Sequence, residues 1–362
     1  MLNIVEPALG GVLIMGDRGT GKSLAVRALA AIVPNIDVVI GDNYNSSPTN
    51  IRLMGPEAEK SLRAGEAFDV KQIQIPLVEL PLGATEDRVC GTIDIERALT
   101  EGVKAYEPGL LAKANQGILY VDEVNLLEDG LVDVVLDSAA SGWNTVEREG
   151  VSIGHPASFI LVGSGTQSQG ELRPQLLDRF GLSVKANTIT DADERVDMVV
   201  RRTAYEKDPK KFVAECGAEG EELTAKLTAA RKLMPKTSID RELSLKISEI
   251  CSMLNVDGLR GDIVTNRAAR AHAALEGRTE ATQADIERVI VACLAHRLRK
   301  DVMDSLDGNE YKVVIAYRKV FGGFVGAPPA AAEAAPEPEP EEEEKPKEKK
   351  AGAWDPSSLG RR

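Results

Sequence analysis

A run of eight residues near the start of the chain constrains its fold more than any other feature. The run matches the pattern GxxxxGK[ST] and consists of Gly16, Asp17, Arg18, Gly19, Thr20, Gly21, Lys22 and Ser23. It follows an apolar run at 12–15 and precedes a helical pattern at 24–29. A strand, such a loop and a helix form a P-loop, whose backbone N–H groups cradle phosphates at the helix N-terminus. We therefore predict that all eight residues bind ATP, with Lys22 on the β- and γ-phosphates and Ser23 on Mg²⁺.

An acidic pair follows another apolar run, at 118–121. Asp122 is predicted to bind Mg²⁺, directly or through water. Glu123 is predicted to orient and deprotonate the attacking water, which favours a hydrolase over a kinase. Acidic pairs after strands are also common at helix N-caps. The functional interpretation therefore depends on the pair occurring together with the P-loop.

Four short apolar runs, at 12–15, 38–40, 118–121 and 159–162, alternate with helical patterns. This alternation predicts an α/β layer with a parallel sheet. The segment 41–117 is too long for a simple crossover, so we expect insertions in it. We assign residues 1–188 to an α/β nucleotide-binding domain that is incomplete at its N-terminus.

From about residue 190 the pattern becomes purely helical, and two helices each carry an apolar face. The first face contains Leu243, Ile247, Ile250, Cys251 and Leu254, and the second contains Ile286, Val289, Ile290, Cys293 and Leu294. We predict a small all-α C-terminal lid domain at 189–326. Residues 327–362 consist mostly of Ala, Pro, Glu and Lys, which predicts a disordered acidic tail.

Composition excludes several classes of protein. The 44 basic and 57 acidic side chains give a net charge of −13, which disfavours a nucleic-acid partner. Three scattered histidines and four cysteines without a CxxC pair argue against a zinc site. The apolar runs are much shorter than the ~20 residues that span a bilayer, so no membrane span is expected.

Taken together, these motifs resemble the AAA+ ATPases and, more narrowly, the I-subunit family of magnesium chelatase (ChlI/BchI). The resemblance covers residues 2 to about 321. Its most specific stretches are LPLGATEDRVCG at 80–91, EPGLL at 107–111, DSAASGWN at 137–144, ELRPQLLDRF at 171–180 and DGLRGD at 257–262. The first and third lie where the family carries insertions.

The resemblance implies a homo-oligomeric ring, expected to be a hexamer, with ATP and Mg²⁺ bound between subunits. Arg179 matches the arginine finger that reaches the neighbouring site, and Arg260 matches the sensor-2 arginine. A guanidinium fork can stabilise charge that develops on a γ-phosphate. For each arginine the alternative is an ordinary surface salt bridge. The implied activity is ATP hydrolysis that drives Mg²⁺ insertion into protoporphyrin IX in chlorophyll biosynthesis, together with subunits D and H.

The stretch 163–170 departs from the family pattern. The family has an asparagine as sensor 1, whereas Thr166 stands here, and its hydroxyl has one donor where an amide has two. We expect ATP binding to persist and hydrolysis to be slowed, unless Gln167 substitutes. This weak-catalysis expectation motivates one alternative, a regulatory paralogue of the subunit. A MoxR-type AAA+ chaperone is the second alternative.

Two further expectations concern location and regulation. The resemblance implies a helical segment before the first strand, which this sequence is expected to lack, so no targeting signal is read from it. The chlorophyll role implies the chloroplast stroma, and a bacterial source would place the protein in the cytoplasm. Cys251 and Cys293 lie on either side of Arg260 in sequence, and related plastid subunits imply a thioredoxin-controlled pair. The alternative is two ordinary buried small side chains.

Overall fold

The computed structural model describes residues 1–93, 106–148, 151–166, 172–298 and 308–323. The predicted tail at 327–362 and Gln167 lie outside the described residues. Within them, no helix combines the length and the apolar character needed to cross a membrane.

The first part of the chain alternates strands and short helices. In chain order these elements are α1 (Leu2–Val5), β1 (Gly11–Gly16), α2 (Lys22–Ile32), β2 (Ile36–Val39), α3 (Pro56–Ala64), β3 (Val70–Ile73), β4 (Leu77–Leu80), α4 (Glu86–Cys90), β5 (Gly91–Ile93), β6 (Tyr106–Pro108), α5 (Leu110–Lys113), β7 (Ile118–Val121), α6 (Asp129–Ser141), β8 (Trp143–Arg148), β9 (Val151–Pro156), β10 (Ile160–Gly165), α7 (Pro174–Arg179) and β11 (Phe180–Ala186).

The second part is helical. Its elements are α8 (Ala192–Lys207), α9 (Pro209–Leu233), α10 (Arg241–Met253), α11 (Arg260–Leu275), α12 (Gln283–Leu294) and α13 (Gly308–Phe321). The predicted change to helices near residue 190 is therefore confirmed for the described residues.

Five parallel strands form the central sheet, in the order β11-β1-β10-β7-β4. The predicted parallel sheet is confirmed, and three of the four expected runs lie in it. The prediction that the run at 38–40 also lies in the parallel sheet is wrong. Its strand β2 pairs antiparallel with β3 in a separate two-stranded sheet. This two-stranded sheet needs no second partner strand, because Asp37 of β2 and most residues of β3 are exposed to solvent.

The sheet edges are the strands that the sequence did not reveal. β4 contains Glu79, which pairs outward with Arg27 at 2.7 Å, so its apolar run is interrupted. β11 ends in half-buried residues. Two antiparallel pairs, β5–β6 and β8–β9, lie outside the central sheet. They account for part of the expected insertions.

The two faces of the sheet support separate apolar cores. Leu119 and Leu161 pack with α6 on one face, and Ile118 and Val162 pack with α2 on the other. Residues buried on both sides explain why the central strands are continuously apolar. The second core continues into helices α9–α13, so the helical part packs against the sheet.

Candidate nucleotide-binding site

The P-loop connects β1 to α2 and has an open backbone. Gly19 and Gly21 have φ of +81° and +79°, a region that favours glycine. A Cβ added at either position would meet nothing within 4 Å. The backbone of this loop is therefore accessible to a phosphate chain at the start of a helix of 11 residues.

Lys22 folds over the loop that carries it. Its Nζ donates to the backbone oxygens of Gly16 and Asp17, each at 2.7 Å. Thr20 Oγ1 donates to the same Asp17 oxygen at 2.9 Å, which holds the loop's shape. A rotation of the Lys22 side chain alone would exchange these carbonyls for phosphate oxygens.

The two predicted magnesium ligands are brought together behind the loop. Ser23 Oγ and Asp122 Oδ1 each lie 2.9 Å from the phenol oxygen of Tyr120. A hydroxyl and a carboxylate are hard oxygen ligands of the kind Mg²⁺ takes alongside nucleotide phosphates. Across the described residues, no three His, Cys, Asp or Glu side chains cluster as an all-protein metal site. The Ser23 hydroxyl and the Asp122 carboxylate fit a magnesium ion that is bound together with a nucleotide.

Glu123 follows Asp122 at the carboxyl edge of the sheet. Its φ of 52° and ψ of 51° lie in the left-handed region, which is uncommon for a non-glycine residue and concentrates at functional sites. Its N–H donates to Ser164 Oγ at 3.3 Å. This backbone turn directs the chain out of the sheet directly after Asp122, the predicted metal ligand.

Thr166 follows β10, the neighbour of β7, so it lies at the same edge as Glu123. Thr166 is buried, and its backbone oxygen accepts from Asn125 Nδ2 at 3.4 Å. The sequence reasoning missed Asn125. The family has an amide side chain at the Thr166 position, which this chain lacks. The signal available in the sequence was another amide, two residues after Glu123.

Arg179 does not lie at its own P-loop. It precedes Phe180, which is in register with Gly11 at the start of β1, whereas the P-loop follows Gly16 at the other end. Five strand steps separate the two levels by about 17 Å. The Arg179 guanidinium instead contacts α6, with Asp137 at 2.6 Å and Asp133 at 3.3 Å.

Arg260 lies beside Asp178, the neighbour of Arg179, rather than at the P-loop of its own chain. Its Nη1 donates to the Asp178 carboxylate at 3.1 Å and to the Asp178 backbone oxygen at 3.2 Å. Arg260, which the sequence predicts to bind ATP, thus lies with Arg179 on one edge of the fold. The structure brings together two groups, the P-loop with Asp122 and Glu123, and Arg179 with Arg260.

Cys251 and Cys293 are free thiols in the core of the helical part. Burial raises the pKa of each to about 12, and Cys293 contributes to the pKa shift of Cys251. A Cβ added at Gly261, the residue after Arg260, would lie 3.6 Å from Cys251 Sγ, so this thiol lies close to the first turn of α11. Cys251 therefore lies close to the helix terminus that carries Arg260.

Comparison with known proteins places this geometry in a family. The family model "Magnesium chelatase, subunit ChlI" matches residues 92–175, and the model "AAA lid domain" matches 244–312. The chain is 58% identical to a magnesium-chelatase subunit ChlI of Synechocystis, over 89% of this chain and 90% of that protein. It is 59% identical to the chloroplastic subunit ChlI of Chlamydomonas reinhardtii, over 89% and 77%.

A solved structure supports the fold. A putative ATPase from Cytophaga hutchinsonii is 15% identical, with a TM-score of 0.55 over 87% of this chain and 86% of that one. Identity of 58% over nearly the whole of both chains is far more than a shared P-loop requires. The chain therefore belongs to the ChlI family, the ATPase subunit of magnesium chelatase, which acts in a complex.

Proposed function

We propose that this chain hydrolyses ATP at sites shared between neighbouring copies in a ring, and that hydrolysis drives Mg²⁺ insertion into protoporphyrin IX with subunits D and H. The observation that supports a shared site most strongly is the position of Arg179, at the end of the sheet opposite its own P-loop. A finger about 17 Å away by strand geometry needs a second copy to reach a γ-phosphate.

Each residue of the proposed site has a distinct task. Lys22 and the loop N–H groups hold the phosphates, and Ser23 and Asp122 would hold Mg²⁺. The ion, when bound, neutralises charge on the β- and γ-phosphate oxygens. Glu123 accepts the proton of the attacking water, and Thr166 with Asn125 orients that water.

The neighbouring copy supplies positive charge. Arg179 would stabilise charge that develops on the γ-phosphate. Since Arg260 shares its edge, we propose that Arg260 also serves the neighbour's site. The half-exposed pairs with Asp137 and Asp178 are weak enough to exchange for phosphate contacts.

Several finer assignments remain part of this proposal. We propose ATP and Mg²⁺ as cofactors, a hexameric ring, a domain boundary at 188/189, and control of Cys251 and Cys293 by thioredoxin. The relatives are cyanobacterial or chloroplastic by name. We therefore propose the chloroplast stroma as the location, or the cytoplasm for a bacterial source.

Reconstitution tests the function. The purified chain is added to D and H subunits with ATP, Mg²⁺ and protoporphyrin IX, and Mg-protoporphyrin is followed by fluorescence. We expect product with the wild type and none with Lys22→Ala. If no product forms but the chain alters the rate of a competent I subunit, the regulatory alternative is correct. Absence of both effects would overturn the assignment.

A further inference from the structure

A single buried phenol lies behind the proposed metal site. Tyr120 is on β7, 2% exposed, and packs in the core between the sheet and α2. Its oxygen is 2.9 Å from Ser23 Oγ, 2.9 Å from Asp122 Oδ1 and 3.1 Å from Ser164 Oγ. One hydroxyl thus contacts the P-loop helix, the acidic pair and the neighbouring strand β10.

Proton counting determines the direction of these hydrogen bonds. A phenol has one proton and can accept two hydrogen bonds, whereas an ionised carboxylate can only accept. Tyr120 must therefore donate to Asp122.

The remaining contacts follow from that assignment. With its proton committed to Asp122, the Tyr120 oxygen must accept from Ser23. Ser164 also donates to Asp122 Oδ1 and accepts from the Glu123 N–H. Ser164 is fully buried and Tyr120 is 2% exposed, so solvent does not compete for the hydrogen bonds of these two hydroxyls.

This arrangement has a consequence for metal binding. A serine hydroxyl that ligates a cation must direct a lone pair at the ion and its proton elsewhere. Tyr120 is the acceptor for that proton. Its own proton fixes one oxygen of Asp122, which orients the carboxylate.

We infer that Tyr120 is a positioning residue for Mg²⁺: its phenol orients the Ser23 hydroxyl and the Asp122 carboxylate as a pair. The inference rests on the proposed ATP site. Outer hydrogen-bond partners of metal ligands typically affect metal affinity by about 10- to 100-fold. The Tyr120 hydroxyl should therefore set the Mg²⁺ concentration that the site requires, and have little effect on nucleotide held by the loop alone.

The test is a binding titration on the full chain with Tyr120→Phe, which keeps the ring and removes only the hydroxyl. A fluorescent ATP analogue is titrated without metal and at increasing Mg²⁺. We expect affinity without metal to stay within about two-fold, and the Mg²⁺ concentration for half-maximal tightening to rise roughly ten-fold. Tyr317→Phe is the matched control, since Tyr317 is equally buried in the helical part, and its titration should match the wild type.

Two results overturn the inference. One is a Tyr120→Phe titration that superimposes on the wild type, and the other is equal weakening with and without Mg²⁺, which indicates packing alone. If Tyr120→Phe does not fold, Ser164→Ala removes the second donor to Asp122 and must raise the Mg²⁺ requirement in the same direction. If the wild type shows no Mg²⁺-dependent binding at all, the proposed function fails instead.

Discussion

Arg297 Nη1 donates a hydrogen bond of 2.8 Å to the backbone oxygen of Asp178 and also pairs with the Asp178 carboxylate. The Arg297 side chain is 1% exposed, and its other nitrogens donate to Phe180 O at 2.8 Å and Cys293 O at 3.0 Å. Asp178 immediately precedes Arg179. The helical part of the chain therefore holds the segment that carries Arg179, the proposed arginine finger.

Arg297→Leu should destabilise the fold far more than Arg260→Leu. Removing Arg297 leaves the Phe180 oxygen without this donor and Asp178 without its buried partner. We expect a loss of about 2–3 kcal/mol in the free energy of unfolding, below the range for a fully buried pair because Asp178 is 42% exposed. Arg260 is 45% exposed and should contribute about 0–1 kcal/mol. Urea unfolding measures both, and equal losses would contradict the structural role of Arg297.

Thr166→Asn should raise steady-state ATP turnover and leave nucleotide affinity unchanged. The amide supplies a second donor at the carboxyl edge of β10, where Thr166 has one. At least a several-fold increase is expected, since loss of one positioned donor to a transition state costs about 10²- to 10³-fold in rate. Thr166→Ser is the matched control and should not increase the rate. An unchanged rate for Thr166→Asn would show that Thr166 does not limit hydrolysis.

Stability should fall as the pH drops below about 6.5, partly through His296. Burial lowers the pKa of His296 to about 4, and its Nε2 lies 3.0 Å from the Phe180 oxygen. The folded state favours the neutral ring, so the stability that it contributes is present above the unfolded pKa of about 6.5 and is lost as pH falls towards 4. The slope for one such group is on the order of 1 kcal/mol per pH unit.

His296→Gln tests this pH dependence. The variant should lose less stability than the wild type between pH 7 and pH 5 in urea unfolding. A residual slope is expected, because burial also lowers the pKa of His155. Identical pH profiles for variant and wild type would show that His296 does not titrate as its burial requires.

The thiols should differ sharply in reactivity. Cys216 is exposed, whereas Cys251 and Cys293 are buried with pKa values near 12, so few of their thiolates exist at pH 8. In the native protein a thiol reagent should modify Cys216 within seconds and Cys251 only as the fold opens. The Cys216→Ser variant identifies the fast phase, and fast modification of Cys251 would contradict its burial.

The proposed redox control requires the same cysteines. We expect oxidation to lower ATP turnover and reduced thioredoxin to restore it. A Cys251–Cys293 disulfide would form close to Gly261 and so displace the neighbouring Arg260. Cys251→Ser should be insensitive to both treatments. If Cys251→Ser responds as the wild type does, this pair is not the switch.

Contiguous motifs in the sequence were sufficient to predict the fold class. The P-loop and the run before Asp122 identify two strands and the parallel sheet, because each motif fixes a strand together with the loop at its carboxyl end. β4 and β11 escaped notice since edge strands need fewer apolar residues on their outer side. The run at 38–40 was misplaced, because an apolar run does not specify which sheet its strand joins.

Side-chain partnerships across the fold could not be read from the sequence. Tyr120 looks like one more apolar strand residue, and its three close contacts with Ser23, Asp122 and Ser164 depend on how β7, β10 and α2 pack. Arg297 carries no motif, and its link to Asp178 joins residues 119 positions apart. The site assignments of Glu123, Thr166, Arg179 and Arg260 stay predictions until variants are measured.

Mixing two inactive variants tests the shared site most directly. Arg179→Ala lacks the finger but keeps Glu123, and Glu123→Gln keeps the finger but lacks the base. Alone, each should bind ATP and hydrolyse almost none. In randomly mixed rings about one interface in four combines an intact Glu123 with a neighbour's Arg179, so turnover should recover to about a quarter of the wild-type rate. A mixture that assembles and binds ATP but stays inactive would contradict a site built by two copies of the chain.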